Sequence, residues 1–412
     1  MLHRFHSGIA GSLGWAVFLC VPLAVSSRAV SQERPADAAK SAAASPSVDR
    51  ILQSWKARED RTKTVHCVWD SQEVRNGKVD RQPALAASHC ECWIGRDNQC
   101  RFQMTAERVT GPKGTKERKH QAMAYDGPLN FIFNWTEPST LPRRGKIWNL
   151  GKSRIGFFYR EVLPLDWVYR PSWRASLSQE RFRLVTEDAI VNGRRCTKLR
   201  GYDKKGWSLG SFWFDPRQDD ALVFWDLARA ETSTMPLSLR YQIDKASGPT
   251  VAGWTMSQDD GSDAMSTVKS LEINKEWPAV TFQIHFPPGT AVAVDDGPTQ
   301  EEYIAKPDGT KRTIFNLNPI SPRLRKILMQ QTDFTVEPEP LRDAIQFVRQ
   351  RYGIAIAMDE ASFRAAKIDT SLEVQEDTAA IRLWELLAWF SAQCPRPFGI
   401  FEQNGSLLLK PL

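Results

Sequence analysis

The chain has little of what chemistry usually needs. Its 412 residues include six His and seven Cys, and beyond the N-terminal segment only His66, His89, His120 and His285 remain. No Gly-x-Ser-x-Gly elbow occurs, which excludes the common serine-hydrolase nucleophile. The glycines of Gly111-Pro112-Lys113-Gly114-Thr115-Lys116 lack phosphate-loop spacing and read as a hairpin loop. Asp219-Asp220, Asp259-Asp260 and Asp295-Asp296 lie in turn-like segments. Glycoside hydrolysis needs two carboxylates facing each other across a sugar, not neighbours in a polar loop. After Leu23 no run is apolar enough to cross a bilayer. There is no internal repeat. Strong charge clustering is also missing. The net charge is +7, yet Arg143-Arg144-Gly145-Lys146, Lys116 to Lys119 and Arg323-Leu324-Arg325-Lys326 are only short basic groups. A nucleic-acid binder gathers its charge on one face with motif context, so no nucleic-acid partner is expected. A weak attraction to anionic membrane surfaces fits the balance better.

What is present begins with an exported look. His3-Arg4-Phe5-His6 is a basic start, Leu13 to Leu23 is a short apolar stretch, and Ser27-Arg28-Ala29 offers small residues for cleavage. Residues 1–29 therefore read as a signal peptide, with an uncleaved anchor as the alternative. Cys20 follows bulky Leu19 and does not read as a lipoprotein cysteine. The mature chain is expected to be soluble, without a transmembrane span, and periplasmic or otherwise exported. Residues 30–46, rich in Ala, Ser, Pro and charge, read as a disordered linker.

Ser47 is a candidate cap for a helix over Val48 to Arg58, with Val48, Ile51, Leu52 and Trp55 on one face. From Thr64 to about Phe286 the chain reads as strands. These include Val65–Trp69, Cys92–Ile94, Arg101–Met104, Asn130–Trp135, Phe212–Phe214, Ala221–Trp225 and Val280–Phe286, with turns at Asn76-Gly77 and Asn192-Gly193. Roughly ten or eleven strands after one helix predict a large curved antiparallel sheet or partial barrel over residues 47–297. Residues 298–332 read as a connector with a turn at Pro307-Asp308-Gly309 and a short basic helix from Pro322 to Gln330. Residues 333–412 read as a small α+β domain. Its first helix carries Leu341, Ile345 and Val348 and stops at Tyr352-Gly353. A strand spans Ile354–Asp359, a second helix opens at Thr378, and a hairpin turns at Asn404-Gly405. The fold class is thus mainly β with an N-terminal helix, followed by α+β.

Two sets of residues are candidates for a site. Cys67, Cys90, Cys92 and Cys100, with His66 and His89, lie on strands expected to be neighbours. Six mature cysteines in an exported chain are compatible with disulfides among these four. Cys and His are also zinc ligands, but the spacing is not that of a zinc knuckle, and no metal or cofactor is assigned. His285, beside Phe286, reads as a packing residue. The second set is aromatic. Trp69, Trp93, Phe102, Phe131, Trp213 and Trp254, with Phe133, either line an apolar ligand cavity or pack the sheet against the helix.

Two resemblances add to this reading. Pro340-Leu341-Arg342-Asp343-Ala344, Tyr352-Gly353-Ile354 and Asn404-Gly405-Ser406-Leu407-Leu408-Leu409 resemble the short N-terminal domain of secretins and TonB-dependent receptors. That resemblance implies a periplasmic protein-contact module, here with an envelope protein through residues 334–412. Trp213-Phe214-Asp215-Pro216, Gly253-Trp254, Val268 through Asn274 and Phe286-Pro287-Pro288-Gly289-Thr290 are similar to the outer-membrane lipoprotein-carrier family. This implies a helix and a half-barrel over an apolar cavity. The second proline at Pro288 and the basic insertion Gly111 to Lys119 depart from that pattern. The leading expectation is an exported, non-enzymatic protein that holds a lipid or acyl ligand in a half-barrel. A structural or signalling adaptor without ligand is the rival, and a metal-dependent hydrolase is a third reading.

Overall fold

The computed structural model describes residues 45–412 apart from 76–77, 80–86, 98, 111–114, 140, 150–160, 231–232, 245–247, 258–261, 333 and 377–380. The expected signal peptide, nearly all of the linker, the Asn76-Gly77 turn, the loop at Gly111–Gly114, the Asp259-Asp260 pair and Thr378 lie outside the described residues. The rest forms two units, residues 45–313 and 314–412. The fold is mainly β, dominated by a large open curved sheet.

The larger unit starts with α1 (Pro46–Arg61), whose Val48, Ile51, Leu52 and Trp55 are buried on one face. Its N-cap is Ser45 and not Ser47. Pro46 takes the first helical position, where the missing N–H costs nothing, and Ser47 instead hydrogen-bonds Glu187 with its hydroxyl. Seven strands follow: β1 (Val65–Arg75), β2 (Lys78–Val79), β3 (Ser88–Ile94), β4 (Cys100–Thr110), β5 (Thr115–Tyr125), β6 (Asn130–Glu137) and β7 (Arg144–Trp148). After α2 (Leu163–Tyr169) come β8 (Phe182–Val191), β9 (Arg194–Tyr202), β10 (Ser208–Asp215), β11 (Ala221–Ala230), β12 (Ser233–Asp244), β13 (Gly248–Ser257) and β14 (Asp263–Ile273). The unit ends with β15 (Ala291–Asp295) and β16 (Gln300–Ala305).

Strands β8 to β14 form an antiparallel meander. β14 then pairs with β1, β1 with β3, and the meander continues to β7. β15 adds parallel to β7, and β16 pairs with β15. The fold is therefore held by the long-range β1–β14 pairing, which joins two meanders into one sheet.

Val280–Phe286 is not a strand. Ala279–Phe282 is a turn of 3-10 helix, bounded by Pro278 and by Pro287-Pro288. Prolines deny the ladder its N–H donors. The segment packs instead by alternate residues: Phe282, Ile284 and Phe286 are buried and His285 is exposed. His285 is thus not a packing residue.

In the smaller unit, β17 (Lys311–Asn316), which starts just before the unit boundary, is followed by α3 (Pro322–Leu328), β18 (Val336–Pro340), α4 (Leu341–Tyr352), β19 (Ile356–Met358) and α5 (Glu360–Ala365). Then come β20 (Glu373–Glu376), α6 (Leu383–Gln393), β21 (Phe398–Gln403) and β22 (Ser406–Pro411). The main sheet runs β17–β21–β22–β19, and β18–β20 form a separate pair. α4 ends at Gly353, whose φ of 61° is the left-handed cap conformation. α6 begins at Leu383 and is buried from Leu383 to Ala392.

Candidate functional site

The concave face of the large sheet is where the aromatic side chains converge. Side chains alternate across a strand, so every second residue of β1, β3, β4 and β10 faces inward. Trp69 and Phe102 are 5.9 Å apart by ring centroid, and Trp69 and Trp254 5.2 Å. All three are almost fully buried in one core cluster. α1 and α2 lie over the same face. Trp55 of α1 meets Phe214 at 5.0 Å, Phe212 at 5.9 Å and Trp167 of α2 at 5.8 Å. Its indole N–H donates to the Trp167 carbonyl at 2.7 Å. Trp167 itself is buried with its own indole N–H unpartnered. Away from the helices, Met104, Ile132, Val268 and Leu271 pack on this core yet remain partly exposed.

The register joins these residues into rows. Trp69 pairs with Val268 on one side and Cys90 on the other, and Cys90 with Met104. Cys67 links Leu271 to Cys92, Cys92 pairs with Phe102, and Phe102 leads through Met123 to Ile132. A continuous apolar strip thus crosses six strands.

The other three aromatic candidates are on the opposite face. Trp93 stacks on His66 with centroids 4.9 Å apart. Phe131 packs with Phe133, Phe286 and Val292 in a separate cluster. Trp213 packs with Cys196 and Val223 in a third. The set of six does not line one cavity: Trp69, Phe102 and Trp254 share the concave face, while Trp93, Phe131 and Trp213 are brought together neither with them nor with one another.

The same alternation separates the Cys and His residues. Cys67, Cys90, Cys92 and Cys100 are buried in the inner core, and all six described cysteines are free thiols. Burial pushes the Cys67 and Cys90 thiols up to about 12. His66 is on the outer face. Its Nδ1 lies 3.0 Å from a Glu272 oxygen and its Nε2 2.8 Å from a Glu91 oxygen. His89 also faces outward, with Nδ1 2.9 Å from Asp70. The His89 hydrogen bond, aided by Lys269, holds the Asp70 carboxyl below its ordinary range. Cys and His therefore cannot share one ion, and among the described residues no group of three ligands could hold a metal.

No family model matches the chain. No curated protein matches it. Solved structures do. One is a domain described as an outer-membrane lipoprotein-sorting protein from Vibrio parahaemolyticus, at 11% identity and TM-score 0.36, covering 57% of this chain and 95% of that one. A LolA-superfamily protein from Nitrosomonas europaea shares 9% identity at TM-score 0.36, covering 57% and 97%. A DUF1329-family protein from Desulfovibrio piger shares 14% at TM-score 0.32, covering 57% and 95%. At scores this low the likenesses carry no weight for function. The resemblance of residues 334–412 to the secretin and TonB-receptor module gains no support from these matches.

The two described acidic pairs lie at turns, Asp219-Asp220 between β10 and β11 and Asp295-Asp296 between β15 and β16. Asp219 and Asp220 form the β10–β11 turn, with φ of 54° and 48°. They hold α1. Arg50 reaches both Asp220 oxygens at 3.0 and 3.2 Å, Arg58 donates to the Asp219 carbonyl at 2.9 Å, and Ser54 donates to the same carbonyl at 2.9 Å. Asp296 accepts from the Thr299 N–H inside its own turn. Sequence reasoning missed α2 and Trp167. Pro164 masks a seven-residue helix whose residues are all buried, so no polar face marks its period.

Proposed function

We propose that the protein is an exported, non-catalytic binding protein that takes an apolar ligand of the lipid or acyl class on the concave face of its large sheet. The observation that carries this is the apolar strip from Val268 and Leu271 to Met104 and Ile132, which α1 and α2 leave partly uncovered. An acyl chain laid there removes more apolar surface from water, at about 25 cal/mol per Å². A metal-dependent hydrolase has no comparable support, because His66 and the cysteines point to opposite sides of the sheet.

The second reading is an adaptor whose sheet is filled by its own side chains. It is favoured by Trp55, which is fully buried against Trp167, Phe212 and Phe214. Lipid extraction and mass spectrometry of the purified protein, followed by titration of the delipidated protein with a fluorescent fatty acid, decide between them. The carrier reading expects co-purified lipid and saturable binding that Met104→Glu weakens at least tenfold. If no lipid is recovered and the fatty acid does not bind, the adaptor reading replaces it.

A further inference from the structure

Four thiols gather on the inner face of β1, β3 and β4, and two of them touch. Cys92 Sγ lies 4.0 Å from Cys100 Sγ, and both residues are fully buried. Cys92 stands opposite Phe102 and Cys100 opposite Ile94, so the two cysteines are diagonal neighbours on one face of the β3–β4 hairpin. Cys67 stands directly opposite Cys92 in the β1–β3 register and is the competing partner.

We propose that Cys92 and Cys100 close a disulfide that staples the β3–β4 hairpin when the chain folds in the presence of a small-molecule or protein disulfide oxidant. Forming the bond requires the sulfurs to approach from 4.0 Å to about 2.05 Å. Because diagonal neighbours stand near the widest Cα separation a disulfide spans, the hairpin backbone draws in with them, which a hairpin still forming allows. Sequence separation favours this pair over Cys67–Cys92. The hairpin contact spans only the short segment from Cys92 to Cys100, and short loops close faster and at lower entropic cost. The chemistry is exchange. One cysteine thiolate attacks the oxidant's disulfide and expels one thiolate. The other cysteine thiolate then displaces the second. Two protein thiols and one oxidant disulfide become one protein disulfide and two oxidant thiols: two electrons pass to the oxidant, and the two protons given up by the protein thiols protonate the expelled oxidant thiolates. Timing follows from burial. Burial, with the Cys100 contact, pushes the Cys92 thiol up, and a buried protonated thiol is a poor nucleophile. The bond therefore forms before the hairpin is covered, and the folded reduced protein resists oxidation.

The full chain, unfolded and reduced, is refolded in a mixture of reduced and oxidised glutathione, alkylated and digested with trypsin. Cleavage after Arg96 separates the two cysteines. The expected product is the peptide carrying Cys90 and Cys92 joined to the peptide carrying Cys100, retained in Cys90→Ser and lost in Cys92→Ser. The oxidised protein should melt roughly 5–10 °C above the reduced one. Peptide mapping of the wild-type chain needs no variant to fold. Free thiols at both positions, or linkage of Cys92 to the Cys67 peptide, overturn the assignment.

Discussion

Trp55 closes the helix-covered end of the concave face, and its contacts set what its loss would do. The side chain is fully buried, meets four aromatic rings and donates to the Trp167 carbonyl. Trp55→Ala leaves a cavity and an unpartnered carbonyl, a change that costs about 3–5 kcal/mol. Urea unfolding followed by circular dichroism measures it, and a loss under about 1 kcal/mol would mean that α1 is not an integral part of the core. The helical spacing of Val48, Ile51, Leu52 and Trp55 was legible. The partners were not, because Trp167, Phe212 and Phe214 are far away in sequence. The same limit explains the aromatic candidates. Strand alternation shows that Trp213 opposes Phe212 and Phe214, but which side becomes concave depends on the path of the whole sheet. Trp93, Phe131 and Trp213 therefore looked equivalent to Trp69, Phe102 and Trp254 and are not.

Elements with strong local chemistry were legible, and elements made by long-range pairing were not. Asn192-Gly193 and Asn404-Gly405 both turn with positive φ, as two-residue hairpins of this kind require. By contrast β5 begins with Thr115-Lys116-Glu117-Arg118, a polar run that reads as a loop. It becomes a strand because β4 pairs with it along its length, β6 joining only from Arg118 onward. β7 and β15 are short and pair parallel across a long stretch of sequence, which no local pattern reveals. The Asp219-Asp220 turn is an element whose role came only from the structure. It anchors α1 through Arg50 and Arg58. Asp220 is nearly buried while Arg50 is over half exposed, so solvent screening keeps the pair modest. Asp220→Asn should cost about 1 kcal/mol, and added salt should lower the wild-type stability toward the variant's. Chemical denaturation of both proteins with urea at low and high salt checks this. An equal loss at both salt concentrations would assign the effect to packing rather than charge.

At the scale of the molecule, residues 298–332 were read as a connector, and they are structured throughout. β16 completes the sheet of the larger unit, while β17 and α3 supply the smaller unit. Phe315 of β17 pairs with Ile400 of β21 and stacks near Trp384 of α6, with centroids 5.9 Å apart. Leu317, Ile320, Leu324 and Leu328 are buried. The chain around Gln330 is tied to the start of α6: the Leu383 N–H donates to the Gln330 carbonyl at 2.9 Å and the Thr332 N–H to the Ile381 carbonyl at 2.7 Å. Within the module α4 was readable from the helical spacing of Leu341, Ile345 and Val348 and the stop at Gly353, and the last hairpin from Asn404-Gly405. α5 was not read, and α6 begins at Leu383, after the Thr378 the sequence offered as its start. The module's first strand was not readable, since Lys311-Arg312-Thr313 hides a short apolar pair behind polar residues. A fragment of residues 334–412 would therefore expose one side of α6 and an edge of β21. α6 is apolar on nearly every side, and such a helix is stable only when enclosed. The fragment 311–412 should fold with a cooperative melt, and 334–412 should be unfolded or aggregate. Circular dichroism melts and analytical ultracentrifugation of the two fragments compare them directly. A cooperative melt of 334–412 at the same temperature as the longer fragment would show that β17 and α3 are appendages and that the domain begins where the sequence alone placed it.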